Sequence, residues 1–69
     1  MEKNLSSQSR IMRLPEVSNL TGLPRSSIYA KIDAGEFPEP IGLGSRSVGW
    51  LSDEVQKWLS DRISISRGE

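Results

Sequence analysis

Residues 14–35 read Leu14-Pro15-Glu16-Val17-Ser18-Asn19-Leu20-Thr21-Gly22-Leu23-Pro24-Arg25-Ser26-Ser27-Ile28-Tyr29-Ala30-Lys31-Ile32-Asp33-Ala34-Gly35. A residue before proline is pushed toward extended backbone, so the apolar-rich run Arg10 to Leu14 predicts a brief strand. Pro15 suits the first turn of a helix, where its missing N–H is not needed, and Glu16 stands where the helix dipole favours negative charge. Val17 and Leu20, at i and i+3, predict one apolar stripe. Gly22 supplies a left-handed residue after Thr21, with Leu23 as the hydrophobic residue just beyond it. The first helix is therefore expected over 15–21. Pro24 opens a second helix whose Ile28 and Ile32 share one face at i and i+4. Gly35 ends it, and Phe37-Pro38 does not easily continue it. Two short helices joined at Gly22-Leu23 make a helix-turn-helix.

Beyond Pro38 and Pro40 the pattern turns extended. Ile41 and Leu43 alternate with Gly42, and Val48 and Trp50 alternate with Gly49. Gly44-Ser45-Arg46-Ser47 between them predicts a hairpin loop. Ser52 is expected to cap a third helix through its hydroxyl, with Asp53 and Glu54 in the first turn. Val55, Trp58 and Leu59 would close the core, and Arg62 would sit at the helix C-terminus. Trp50 and Trp58 are expected in the core. The fold class that follows is α+β: a small winged helix-turn-helix of three helices with a two- to three-stranded β-hairpin wing. Residues 1–9 read as a disordered lead-in, 10–62 as the working domain and 63–69 as a tail, either a short strand or a frayed end.

Composition narrows the function. At 69 residues and 35% hydrophobic side chains the chain holds one small core, and an enzyme with a deep substrate pocket is not expected. With no histidine and no cysteine, Ser-His-Asp and Cys-His chemistry, disulfides and thiolate metal sites are excluded. The glycines at 42, 44 and 49 match neither a P-loop nor a dinucleotide fingerprint. No metal, cofactor or small-molecule substrate is expected. No apolar run approaches the ~18 residues of a membrane span, and a cysteine-free chain without an export signal fits the cytoplasm, associated with the nucleoid. Nine basic and nine acidic residues cancel, a mild argument against nucleic acid. Charge distribution weighs more than the sum.

A winged helix sends one helix into the DNA major groove and a hairpin loop to the neighbouring backbone or minor groove. At 100° per residue, Ile28 and Ile32 mark the buried side of the second helix, and Ser26, Ala30 and Asp33 point away from it. Arg25 and Tyr29 lie on one flank, Ser27 and Lys31 on the other. Short side chains near the helix start let the backbone approach phosphates, with serine hydroxyls as donors. Arg25 offers a fork to guanine or phosphate. Tyr29 offers a phenol to phosphate and a ring edge to a thymine methyl. Arg46 stands at the loop tip between Ser45 and Ser47, where no structural need for arginine exists. The candidate DNA-binding residues are thus Arg25, Ser26, Ser27, Tyr29, Lys31, Ser45, Arg46 and Ser47. The competing reading is a degenerate winged helix that binds protein through Glu36, Glu39, Asp53, Glu54 and Asp61.

Several motifs carry a family resemblance: Leu14-Pro15-Glu16-Val17, Thr21 to Tyr29, Gly35-Glu36-Phe37-Pro38-Glu39-Pro40-Ile41, Leu43 to Trp50, and Glu54 to Leu59. Over residues 14–62 the chain resembles the AlpA family of small phage and genomic-island transcriptional regulators, which are similar to MerR-type winged helices and phage excisionases. Pro24, where the family often has serine, and Ala30, where it often has arginine, depart from that pattern. The resemblance implies a sequence-specific DNA-binding regulator of mobile-element genes, often of an integrase, with an excisionase-like architectural role and no chemistry on the DNA. One small domain buries only ~600–1,000 Å² on DNA. Homo-oligomers on double-stranded DNA, or contacts to RNA polymerase or integrase, are therefore the expected sources of added affinity.

Overall fold

The computed structural model describes residues 10–68; the lead-in expected over 1–9 lies outside the described residues. The elements run β1 (Ile11–Met12), α1 (Leu14–Thr21), α2 (Arg25–Asp33), β2 (Ile41–Gly42), β3 (Val48–Leu51) and α3 (Ser52–Arg67). This is the α+β winged helix-turn-helix that the sequence predicts. The three strands form one antiparallel sheet in the order β1-β3-β2. Met12 faces Trp50 and Ile11 faces Leu51 on one side of β3, and Ile41 faces Gly49 and Gly42 faces Val48 on the other. The Leu43 N–H donates to the Ser47 carbonyl at 2.7 Å and closes the wing.

Each segment delivers one side chain to a shared core: Met12 from β1, Val17 from α1, Ile28 from α2, Phe37 from the connector, Trp50 from β3 and Val55 from α3. Leu14, Leu23, Ile32, Val48 and Trp58 pack around it, half-buried. Leu20 is the exception to the expected α1 stripe. It is 41% exposed, because an eight-residue helix turns only Val17 fully inward. Ile41 and Leu43 are also exposed, since β2 is an edge strand with a single neighbour.

Gly22 takes φ +75° and its N–H donates to the Ser18 carbonyl at 2.8 Å, so the left-handed stop of α1 is where the sequence places it. The turn is wired further by side chains. Thr21 Oγ1 donates to the Val17 carbonyl and accepts from the Leu23 N–H, and Ser18 Oγ donates to the Leu23 carbonyl. These bonds set the angle between the two helices.

Three expectations about the C-terminal part change. Ser52 does not cap α3; Leu51 is the N-cap residue, and no side chain caps the helix. Buried Ser52 instead accepts the Arg10 N–H on its hydroxyl at 2.9 Å, and its own N–H donates to the Arg10 carbonyl at 2.8 Å. The pair extends the β1–β3 ladder by one residue. The segment from Ile63 is neither strand nor frayed end. It continues α3 to Arg67, with Gly68 at φ +74° as the left-handed stop. Arg62 therefore sits inside the helix, its guanidinium 5.9 Å from the centre of the Trp58 ring, and Arg67 occupies the last turn.

Gly49 lies at the crossing of all three strands. A Cβ there would stand 2.5 Å from Ile11 Cγ2 and 3.1 Å from both Leu43 Cδ1 and the Met12 carbonyl oxygen. The Ile11 methyl branches directly from Cβ and has little freedom to retreat. Gly49→Ala is therefore expected to destabilise the fold by ~1–3 kcal/mol through overpacking, read as a lowered urea midpoint at unchanged slope.

Glu16 ties β1 to the start of α1. Its carboxylate accepts from Arg10 Nη1 at 2.9 Å and from the Arg13 N–H at 3.3 Å. The Arg10 hydrogen bond first, and the Arg13 N–H second, lower its pKa below the ordinary glutamate value. A carboxylate with a lowered native pKa stabilises the fold above its unfolded pKa and loses that contribution as the pH falls through the native one. Urea midpoints of the wild type and Glu16→Gln should therefore differ at neutral pH and converge only in stronger acid, once the pH lies below both the unfolded glutamate value of ~4.3 and the lowered native one.

Candidate nucleic-acid interface

Pro24 is the N-cap of α2, with extended backbone and no capping side chain, and no acidic residue stands in the first turn. The first N–H groups of a helix have no acceptor one turn earlier. The start of α2 therefore presents amide donors and the positive end of the helix dipole. Arg25 and Ser26 are exposed beside these donors, and Ala30 one turn on is small and exposed. Asp33, at the far end, is exposed too and opposes phosphate there.

The two flanks of α2 differ. Arg25 lies over the Tyr29 ring, 5.9 Å from its centre, and Tyr29 meets Trp50 edge to face at 6.4 Å. A cation on an aromatic face is held in a narrower range of positions, so a fully buried tryptophan backs an exposed arginine through one intermediate ring. Tyr29 is thus at once core-packed and 36% exposed. Ser27 and Lys31, on the other flank, are half-buried.

The wing places Ser45 and Arg46 in exposed positions and Ser47 half-buried, with the Ser47 carbonyl committed to the hairpin bond. Among the described residues Arg46 has no ion-pair or hydrogen-bond partner. Arg10 is engaged with Glu16, and Arg13 Nε donates to the Val48 carbonyl at 3.0 Å. Arg13 thereby pins the base of the wing to the start of α1. This positioning residue has no signature in the sequence, because its partner stands 35 residues away.

Trp50 also anchors the approach to the wing. Its Nε1 donates to the Pro38 carbonyl at 3.0 Å, and Trp58 Nε1 donates to the Glu36 carbonyl at 2.6 Å. The extended connector from α2 to β2 is thus held by two indoles, with Phe37 edge to face against Trp58 at 4.8 Å. α2 and the wing are positioned by the same tryptophan. Among the described residues no group of three or more metal-ligating side chains converges, and no helix is long and apolar enough to cross a membrane.

The family model described as Prophage CP4-57 regulatory protein (AlpA) matches residues 10–63. ORF88 of Enterobacteria phage P4 is 49% identical over 57 residues, covering 83% of this chain and 65% of that protein, so the match spans just under two thirds of it. The DNA-binding transcriptional activator AlpA of Escherichia coli K12 is 41% identical over 69 aligned positions, covering 90% of this chain and 97% of that protein. With the helix-turn-helix, the wing and their shared core all inside the matched region, the chain belongs to the AlpA family.

Proposed function

We propose that the protein is a sequence-specific DNA-binding transcriptional regulator of mobile-element genes that acts by occupying its site, with no chemistry on the DNA. α2 enters the major groove through Arg25, Ser26 and Tyr29, flanked by Ser27 and Lys31, and the wing tip Ser45-Arg46-Ser47 meets the neighbouring backbone or minor groove. The observation that carries this reading is the uncapped, acid-free start of α2, with Arg25 exposed and held on a ring that rests on the buried core. The activator named among its relatives supports the same activity. An integrase gene is the expected target, and binding of several copies, contacts to RNA polymerase or integrase, and excisionase-like bending belong to the same proposal. The site of action would be the nucleoid.

The test is fluorescence anisotropy against upstream DNA of the protein's own genomic neighbourhood, an integrase promoter included where one is present, and against a shuffled duplex, followed by footprinting. The expected result is a protected site bound at least ~10³-fold tighter than the shuffled sequence. Its affinity should fall linearly on a log scale as salt rises, because bound phosphates release counterions. Equal affinity for both duplexes, or none for either, would overturn the proposal.

A further inference from the structure

Four of the nine acidic residues of this electrically balanced chain line one surface groove. Glu36 and Glu39 from the connector meet Glu54 and Asp61 from α3 around a single open groove. Its walls are apolar: Phe37, Ile41, Trp58 and Ile65 line it. Ile65, 65% exposed on the last turns of α3, and Ile41, 37% exposed on the edge strand, put apolar surface on the same groove.

The cations in the groove are already engaged. Lys57 Nζ lies 3.1 Å from Asp61, and Arg62 covers the Trp58 ring. Glu36, Glu39 and Glu54 have no cationic partner among the described residues. Trp58 is set in advance by its bond to the Glu36 carbonyl and its contact with Phe37. A fixed, half-buried aromatic inside a polar rim is the usual anchor of a protein interface. None of the eight residues assigned to DNA lines this groove.

We propose that the groove docks a cationic amphipathic segment of a second protein, apolar side chains against Trp58 and Ile65 and lysines or arginines against Glu36, Glu39 and Glu54. Charge complementarity selects this occupant. A duplex is repelled by the carboxylates. A second copy brings the same acidic rim, and its cations on α2 and the wing belong to the surface proposed for DNA. The groove and its acidic rim stand without the DNA reading; the exclusion of a second copy rests on it.

The test uses the full chain, ¹⁵N-labelled, titrated with a synthetic amphipathic helix of leucine and lysine alone, with a leucine–glutamate counterpart as control. Saturable binding of the lysine peptide is expected to move the Trp58 indole N–H resonance and leave that of buried Trp50 in place. Glu36→Lys with Glu39→Lys should weaken the complex about tenfold or more, since like charges then face the lysines. Ile65→Ser should weaken it as well. All three positions are exposed, so circular dichroism should show an intact fold. Ile65→Ser should also leave DNA affinity unchanged, which separates failure here from failure of the DNA proposal. Equal binding of the glutamate peptide, indifference to the substitutions, or no saturable binding would overturn the inference. So would wild-type self-association in sedimentation that Ile65→Ser abolishes, because the occupant would then be a second copy.

Discussion

Trp50→Ala is expected to leave the chain largely unfolded at room temperature. Removing a fully buried tryptophan costs ~3–5 kcal/mol in transfer and cavity terms, and a single core in a domain of this size rarely supplies more than ~3–5 kcal/mol in total. Trp50 sits at 0% exposure in the middle strand. Its loss also frees the half-buried Pro38 carbonyl of the connector and removes the support under Tyr29. Far-UV circular dichroism and urea titration give the readout: no cooperative transition for Trp50→Ala. Trp50→Phe keeps an aromatic ring against Tyr29 but not the indole donor, and should fold with a lowered midpoint. A cooperative Trp50→Ala with a near-native midpoint would contradict the account of the core given above.

Arg25→Ala is expected to give the largest loss of DNA affinity that leaves the fold untouched. A bidentate arginine–guanine contact contributes ~1–3 kcal/mol of discrimination, so specific binding should fall by roughly 5- to 150-fold while shuffled DNA is affected less. Arg25→Lys preserves the charge but not the planar fork or its fit on the Tyr29 ring, and should recover only part of the loss. Arg46→Ala should behave differently. Under the proposed phosphate contact on the wing, its removal should lower affinity for all sequences alike and reduce the salt slope by ~1. Anisotropy titrations at several salt concentrations separate the two. If both alanine variants bind the cognate site as the wild type does, α2 and the wing tip are not the interface.

The helix-turn-helix was legible because its signals are local. Pro15, Gly22, Pro24 and Gly35 act on their own backbone angles, and Val17 and Ile28 declare their faces within one or two helical turns. The hairpin loop and the core role of Trp50 followed from alternation and from the apolar faces of their elements, whereas Trp58 and Leu59, expected to close the core, stay half-buried. While the place of Arg62 follows from where α3 ends, Leu20 and the hydroxyl of Ser52 depart from expectation for one common reason. Each depends on what stands opposite in space, and periodicity says which side of an element a residue is on without saying what that side meets. The extension of α3 through Ile63 and Ile65 went unseen because those isoleucines alternate with serines, a strand-like spacing on a helix whose last turns remain largely exposed.

By itself the sequence determined the element order, the position of the turn between α1 and α2, the wing between β2 and β3, and the outward polar residues near the start of α2. Those properties reside in segments a few residues long, where steric limits on φ and ψ and hydrophobic spacing act directly. Only the tertiary structure decided that Trp50 supports Tyr29 and the connector at once, that Arg13 pins the wing, that Ser52 joins the ladder at Arg10, and that four carboxylates surround one apolar groove. These contacts link residues far apart in the chain, and their free energy exists only once the core has closed and brought them within bonding distance.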